Sequence, residues 1–303
     1  MGCTGCRAGW DPPVDTVWLT VPAYALADPA AADRALAAAR TVLAPRTVVP
    51  SPLLARHPGP GTWLPVEDRR ADLRIGLGHG VLAAARGGYG CLDLAEVVLS
   101  HPGPWPRLVG YSDLTVLHAA WWVRGRRDGV YGFLAGVPHG ERARASTRAL
   151  LADGTVRIDP SAAPQAAVLV PGIAEGPAFP ACLRVLAGLA GTALQPSLAG
   201  CVVVLEDIDE RPYRMDRDLW QLHAAGMLDR IAGLAFGRFP AEHPPGYAGP
   251  SAAEVAAAWA RRLGVPAVFG LPVGHDADPV SLPVGGRLRL AADPAGWNLQ
   301  AWP

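Results

Sequence analysis

Leu108-Val109-Gly110-Tyr111-Ser112-Asp113-Leu114-Thr115-Val116-Leu117-His118-Ala119-Ala120-Trp121-Trp122 is the stretch on which the reading of the chain turns. Leu108 and Val109 read as the end of a buried strand, and from Leu114 the apolar residues fall at helical spacing. Gly110 to Asp113 is too short for anything but a tight strand-to-helix turn. A serine on such a turn holds its hydroxyl above the sheet, beside the unpaired N–H groups of a helix start. That position suits a nucleophile with an oxyanion site at its side. Ser and Asp are also favoured helix N-caps, so the turn alone leaves both readings open.

Outward from this stretch, strands and helices alternate. Residues 17–22 read as a first buried strand ended by Pro22, residues 28–43 as an Ala-rich helix, and residues 47–49 as a second strand. A Pro/Gly-rich loop follows, then a helix over 69–77 and an apolar run over 80–85 that leads into Arg86-Gly87-Gly88-Tyr89-Gly90. Another helix is expected over 92–99. Such alternation predicts an α/β fold with a parallel sheet covered by helices on both faces. Ligands of these sheets collect at the carboxyl ends of the strands, where both the Gly-Gly turn and Ser112 fall. Adjacent glycines can turn backbone N–H groups toward a ligand, or simply make a turn. The Gly-x-Gly-x-x-Gly of dinucleotide sites is absent.

The pattern weakens over 141–166, with one short helix around 147–151. This divides the chain into a first domain over 11–140, a connection over 141–166 and a second domain over 167–303. In the second domain, strands are expected over 167–170, 200–205, 231–236, 268–271 and 288–291, with helices over 183–189, 216–225 and 250–263.

Composition narrows the function. The 303 residues are half hydrophobic and 18% charged, with 27 basic against 27 acidic side chains. No basic stripe suggests nucleic acid, no apolar run has the length of a membrane span, and no apolar leader marks secretion. A cytoplasmic location is the resulting expectation. Five cysteines are too scattered for a disulfide framework, and Cys3 and Cys6 lack the further ligands of a zinc set.

A serine nucleophile needs a base in hydrogen-bond reach, and the base needs an orienting acid. Among eight histidines, His275 stands at a strand end in a Gly-His turn flanked by apolar residues. Glu206 leaves an apolar strand at a sheet edge, where a buried carboxylate requires a partner.

Taken in order, Arg86-Gly87-Gly88-Tyr89-Gly90, Gly110 to Leu117, Leu205-Glu206-Asp207, Pro212 to Arg217, Gly226 to Asp229, Gly237-Arg238-Phe239 and Leu271 to His275 form a recognisable set. The chain thereby resembles the LD-carboxypeptidases, which include murein tetrapeptide carboxypeptidases and microcin-immunity peptidases. The resemblance implies a flavodoxin- or class I amidotransferase-like N-terminal domain and a smaller swivelling C-terminal domain. It implies Ser112 as nucleophile, His275 as base and acid, and Glu206 as the orienting carboxylate, meeting across the domain interface. Backbone N–H groups of Gly88 and Asp113 would form the oxyanion hole. Arg86, Gly87, Tyr89 and Arg214 are candidates for holding substrate, the arginines for its terminal carboxylate. The reaction implied is amide hydrolysis beside a free carboxylate through an acyl-enzyme, with no cofactor or metal, a small peptide substrate and a homodimer.

Three departures stand out. Pro180-Ala181-Cys182-Leu183 replaces the family's Gly-Gly-Asn-Leu, Pro22-Ala23 replaces Pro-Ser, and Gly132-Phe133-Leu134 stands near the usual His-Gly-Pro. These changes remove polar groups expected to face substrate. A self-immunity amidase acting on a peptide–nucleotide conjugate, with Trp121 and Trp122 as an aromatic platform, is therefore a second expectation. A silent peptide-binding protein is a third.

Overall fold

A computed structural model describes residues 15–59, 61–240 and 246–303. Cys3 and Cys6 lie outside the described residues. In the first half, strands Thr16–Thr20 (β1), Thr47–Pro50 (β2), Val81–Ala84 (β3), Arg107–Val109 (β4) and Gly129–Tyr131 (β5) alternate with helices Pro29–Val42 (α1), Val66–Gly76 (α2), Ala95–Ser100 (α3) and Thr115–Val123 (α4). Helix α1 begins where Asp28 accepts a hydrogen bond from the Ala31 N–H at 2.7 Å and Pro29 occupies the first turn. Strand β3 is buried along its whole length, as a parallel strand covered on both faces must be.

These five strands pair in parallel in the order β5-β4-β3-β1-β2. Strand order reverses at β1, which has β2 on one side and β3 on the other. The crevice beyond such a reversal is where open α/β sheets place ligands. The ends of β1, β3 and β4 deliver Pro22–Tyr24, Arg86–Gly90 and Gly110–Ser112 to that edge.

The second half contains Glu141–Leu151 (α5), Val156–Ile158 (β6), Ala167–Val170 (β7), Gly172–Cys182 (β8), Leu183–Ala187 (α6), Val202–Glu206 (β9), Pro212–Ala224 (α7), Gly233–Phe236 (β10), Ala252–Leu263 (α8), Ala267–Phe269 (β11), Leu282–Val284 (β12), Arg287–Asp293 (β13) and Gly296–Trp302 (β14). A second sheet runs β6-β14-β13-β8-β9-β10-β11-β7, parallel from β8 to β11 and antiparallel elsewhere. Strand β12 instead returns to the first sheet, antiparallel to β5, with Leu282 opposite Tyr131. The two sheets are thus tied together by chain as well as by packing.

Two segments differ from expectation. Residues 141–166 carry a full helix and a paired strand. The inner face of α5 looks polar because it includes Ser146 and Thr147, but both hydroxyls are satisfied inside. Ser146 accepts from the Ser281 N–H at 2.9 Å, and Thr147 bonds the Ser281 hydroxyl at 2.8 Å. The stretch Pro180–Leu183, which replaces the family's Gly-Gly-Asn-Leu and for which no strand was expected, is the end of β8 running directly into α6. Beyond Pro177 this strand has left β13 and pairs with β9, so Pro180 interrupts no ladder on the β13 side.

Candidate active site

Ser112 sits in the left-handed region, with φ of 65°. A non-glycine residue there stores strain, as at the sharp strand-to-helix turns that expose a nucleophile. Its side chain caps neither the short 3-10 turn Ser112–Leu114 nor α4. Asp113 does not cap either; its carboxylate accepts from the Cys91 N–H at 2.8 Å and so ties the turn to the segment after the glycines. The N-cap reading of this turn is therefore set aside. Burial pushes the Asp113 carboxyl up from its ordinary value, against the hydrogen bonds from Cys91.

The glycine turn packs directly on Ser112. A Cβ at Gly87 would stand 3.1 Å from the Ser112 Cβ and 3.3 Å from its Oγ. Gly88 has φ of 116°, and a side chain there would overlap the Tyr24 ring. The turn is held from below by Arg69, whose side chain is wholly buried. Its guanidinium donates to Gly90 O at 2.7 Å, Pro22 O at 3.0 Å and Leu64 O at 2.9 Å, and to Asp93 at 2.8 Å. Among the described residues, neither the Gly88 nor the Asp113 N–H has a hydrogen-bond acceptor.

Glu206, at the end of β9, is completely buried. Its Oε2 accepts from His275 Nδ1 at 2.7 Å and from the His275 backbone N–H at 3.0 Å. Its Oε1 accepts from the Tyr131 hydroxyl at 2.6 Å. A proton on Nδ1 facing the carboxylate leaves Nε2 as the acceptor nitrogen. Burial by itself pushes the His275 imidazole down, but the hydrogen bond and charge of Glu206, with Asp207 and Asp209 behind, reverse this and leave it raised. His275 stands edge-on to the Tyr111 ring, 5.2 Å between centroids, one residue before Ser112. Among the described residues Ser112 Oγ makes no hydrogen bond, to His275 or otherwise.

The remaining candidates divide. Arg86 is half-buried and has no hydrogen bond or ion pair among the described residues. Tyr89 is exposed and meets Trp63 edge-on, and Trp63 in turn stacks on Tyr24. Arg214 is exposed and lines a cavity of about 220 Å³ with Arg184, Glu210, Arg217 and Asp218. None of these lining residues belongs to the group around Ser112. Trp121 and Trp122 are not a platform. Both are buried, with indole N–H groups on Pro106 O and Ser197 O at 2.9 and 3.1 Å, because helix α4 is buried on every side from Thr115 to Trp122.

Sequence reasoning passed over Tyr131 and took Cys182 only as part of the departure at Pro180–Leu183. Tyr131 lies on a three-residue strand too short for a periodicity signal; its one clue was the neighbouring Gly132-Phe133-Leu134. Cys182 is buried beside Glu206 in the β8–β9 register, and its thiol approaches Asp207 at 3.4 Å. Burial pushes the Asp207 carboxyl up to about 7, with the Glu206 charge adding and its hydrogen-bond donors opposing.

A strained serine at a strand end and a buried carboxylate–imidazole pair thus stand on a two-sheet α/β frame. A family model described as the LD-carboxypeptidase C-terminal domain matches residues 175–290. Over 238 residues the chain is 34% identical to a Streptomyces coelicolor protein named a carboxypeptidase, covering 75% of this chain and 74% of that one. It is 28% identical to the murein tetrapeptide carboxypeptidase of Pseudomonas aeruginosa over 250 residues, 77% of this chain and 80% of that one. The crystal structure of muramoyltetrapeptide carboxypeptidase from Oxalobacter formigenes superposes with a TM-score of 0.77 at 24% identity, covering 94% and 99% of the two chains. The chain belongs to the LD-carboxypeptidase family and is a divergent, serine-type carboxypeptidase. Among the described residues no helix is long and apolar enough to cross a membrane.

Proposed function

We propose that this protein releases the C-terminal D-amino acid of a murein tetrapeptide-like substrate, working through Ser112, His275 and Glu206. The observation that carries the reading is the pairing of Glu206 with His275 Nδ1 at 2.7 Å, on an imidazole that stands edge-on to Tyr111, the residue before Ser112. Ser112 Oγ attacks the carbonyl carbon of the amide, and its proton passes to His275 Nε2. The carbonyl oxygen, now an oxyanion, takes the unpaired N–H groups of Gly88 and Asp113. His275 then gives its proton to the nitrogen of the departing D-amino acid, which leaves Ser112 as an ester. Water, deprotonated by His275, attacks the ester and restores the serine. Glu206 holds the imidazole in the required tautomer and stabilises its charged form. Arg86, without a hydrogen bond or ion pair among the described residues, faces the terminal carboxylate.

Ser112 comes from the first domain and the other two residues from the second, so the site closes across their interface. Catalysis in the cytoplasm by a homodimer completes this reading; sedimentation of the purified chain tests the dimer. The activity is tested with L-Ala-D-Glu-diaminopimelate-D-Ala by following D-Ala release. Release by wild type that is abolished in Ser112→Ala supports the proposal. Absence of turnover on this peptide, with turnover of a microcin-type peptide–nucleotide amide, replaces it by the immunity reading. Binding without turnover of either leaves a peptide-binding protein.

A further inference from the structure

The geometry points to Tyr131 as a positioning residue that links the Ser112 turn to the Glu206–His275 pair through one phenol oxygen. The oxygen donates its proton to Glu206 Oε1 at 2.6 Å and accepts the Ser112 backbone N–H at 3.3 Å. A phenol has one proton, and Glu206 already accepts two N–H donors from His275, so the direction of both bonds is determined. Tyr131 is completely buried, on β5 between β4 and β12, and Glu206 belongs to the other sheet. One hydroxyl thus sets the height of the nucleophile turn in the first sheet against the carboxylate of the second.

The bond to Ser112 does a second thing. It occupies the serine's own N–H, so this donor is turned away from substrate while those of Gly88 and Asp113 stay open. It also gives the left-handed residue a fixed partner, which such a strained conformation needs to persist. Burial and the Glu206 charge push the Tyr131 hydroxyl well up from its ordinary value, so it remains a donor throughout the working range. The groups that face the pair are Glu206 on β9, Asp207 and Asp209 after it, Cys182 on β8, Tyr111 before the nucleophile, Tyr131 itself and the Thr115 hydroxyl, which also bonds the phenol. Removing the phenol takes one of three donors from Glu206. The carboxylate then holds the His275 proton more firmly and the imidazole titrates higher.

This inference rests on the roles proposed for Ser112, Glu206 and His275, and its test separates from theirs. In the full chain, His275 is titrated by NMR in wild type and Tyr131→Phe, which reads the coupling whether or not any peptide is cleaved. Acylation of Ser112 by a fluorophosphonate is timed in parallel. Expected are a higher His275 midpoint, labelling slowed at least about tenfold at pH 7, and a peptide kcat that falls while KM stays. Circular dichroism confirms the fold. Glu206→Gln supplies the second background: there Tyr131→Phe should slow labelling less than it does in wild type, because the charge it acts on is gone and only the Ser112 bond is left to lose. An unchanged His275 midpoint with unchanged labelling in folded Tyr131→Phe overturns the inference. So does a slowing of equal size in the Glu206→Gln background.

Discussion

Gly274 lies so close to Glu206 that any Cβ at residue 274 would overlap the carboxyl group of the glutamate. The same glycine has φ of 78°, which brings the His275 N–H and Nδ1 onto a single carboxylate oxygen. Space and backbone conformation thus both demand glycine. Gly274→Ala should cost about 1–3 kcal/mol from the backbone alone, with more from the overlap. Thermal unfolding will show the loss, and fluorophosphonate labelling should fall even at temperatures where the variant remains folded.

Removal of the proposed nucleophile or its orienting acid should be far more damaging to turnover than to stability. Ser112→Ala and Glu206→Gln are expected to lower kcat by on the order of 10⁴-fold. D-Ala release under saturating peptide checks both. A residual rate in Ser112→Ala within tenfold of wild type would exclude an acyl-enzyme on this residue.

His275 is raised above the ordinary histidine value by the Glu206 bond and charge, overcoming burial. Only its neutral form accepts the serine proton, so kcat/KM should fall on the acid side with a midpoint above about 6.5. Glu206→Gln should move that midpoint down. The linkage to folding has the opposite sense. Stability from the pair is fully present below the unfolded value and is lost as pH rises through the raised folded one. The melting-temperature advantage of wild type over His275→Gln should accordingly be larger at pH 6 than at pH 9.

Arg69 is a buried cation with three carbonyl partners and one carboxylate, and it underlies the glycine turn. Lysine cannot reproduce the planar fork that reaches Leu64, Pro22 and Gly90 together. Arg69→Lys should therefore destabilise by about 2–4 kcal/mol, measured by denaturant unfolding. In the folded fraction kcat should fall more than KM, since the Gly88 N–H is positioned by this turn.

Much of the frame was legible along the chain because it depends on local patterning. The apolar runs ending at Ala84, Val109 and Leu205 are strands since they are buried on both faces, and strand-to-turn junctions follow from where the runs stop. Among the three-residue strands, β4 and β11 were expected, but β5, β12 and β6 were not, because three residues by themselves carry no period. Helix α5 was hidden for another reason: hydroxyls on its inner face read as exposed until Ser281 is brought to them from far down the chain.

His275, expected at a strand end, lies in the turn six residues beyond β11, whereas the sequence by itself determined the alternation of elements, the turn at Ser112, the glycines at 87 and 88, and the strand end that carries Glu206. All of these arise from periodicity, chirality and the steric freedom of glycine, which act over a few residues. Only the tertiary structure decided that Ser112 is left-handed and caps nothing, that Pro180–Leu183 is strand and helix start, and that Tyr131 joins Ser112 to Glu206. Those relations connect residues 19 to 75 positions apart, and no local pattern encodes a hydrogen bond that exists only after two sheets have packed.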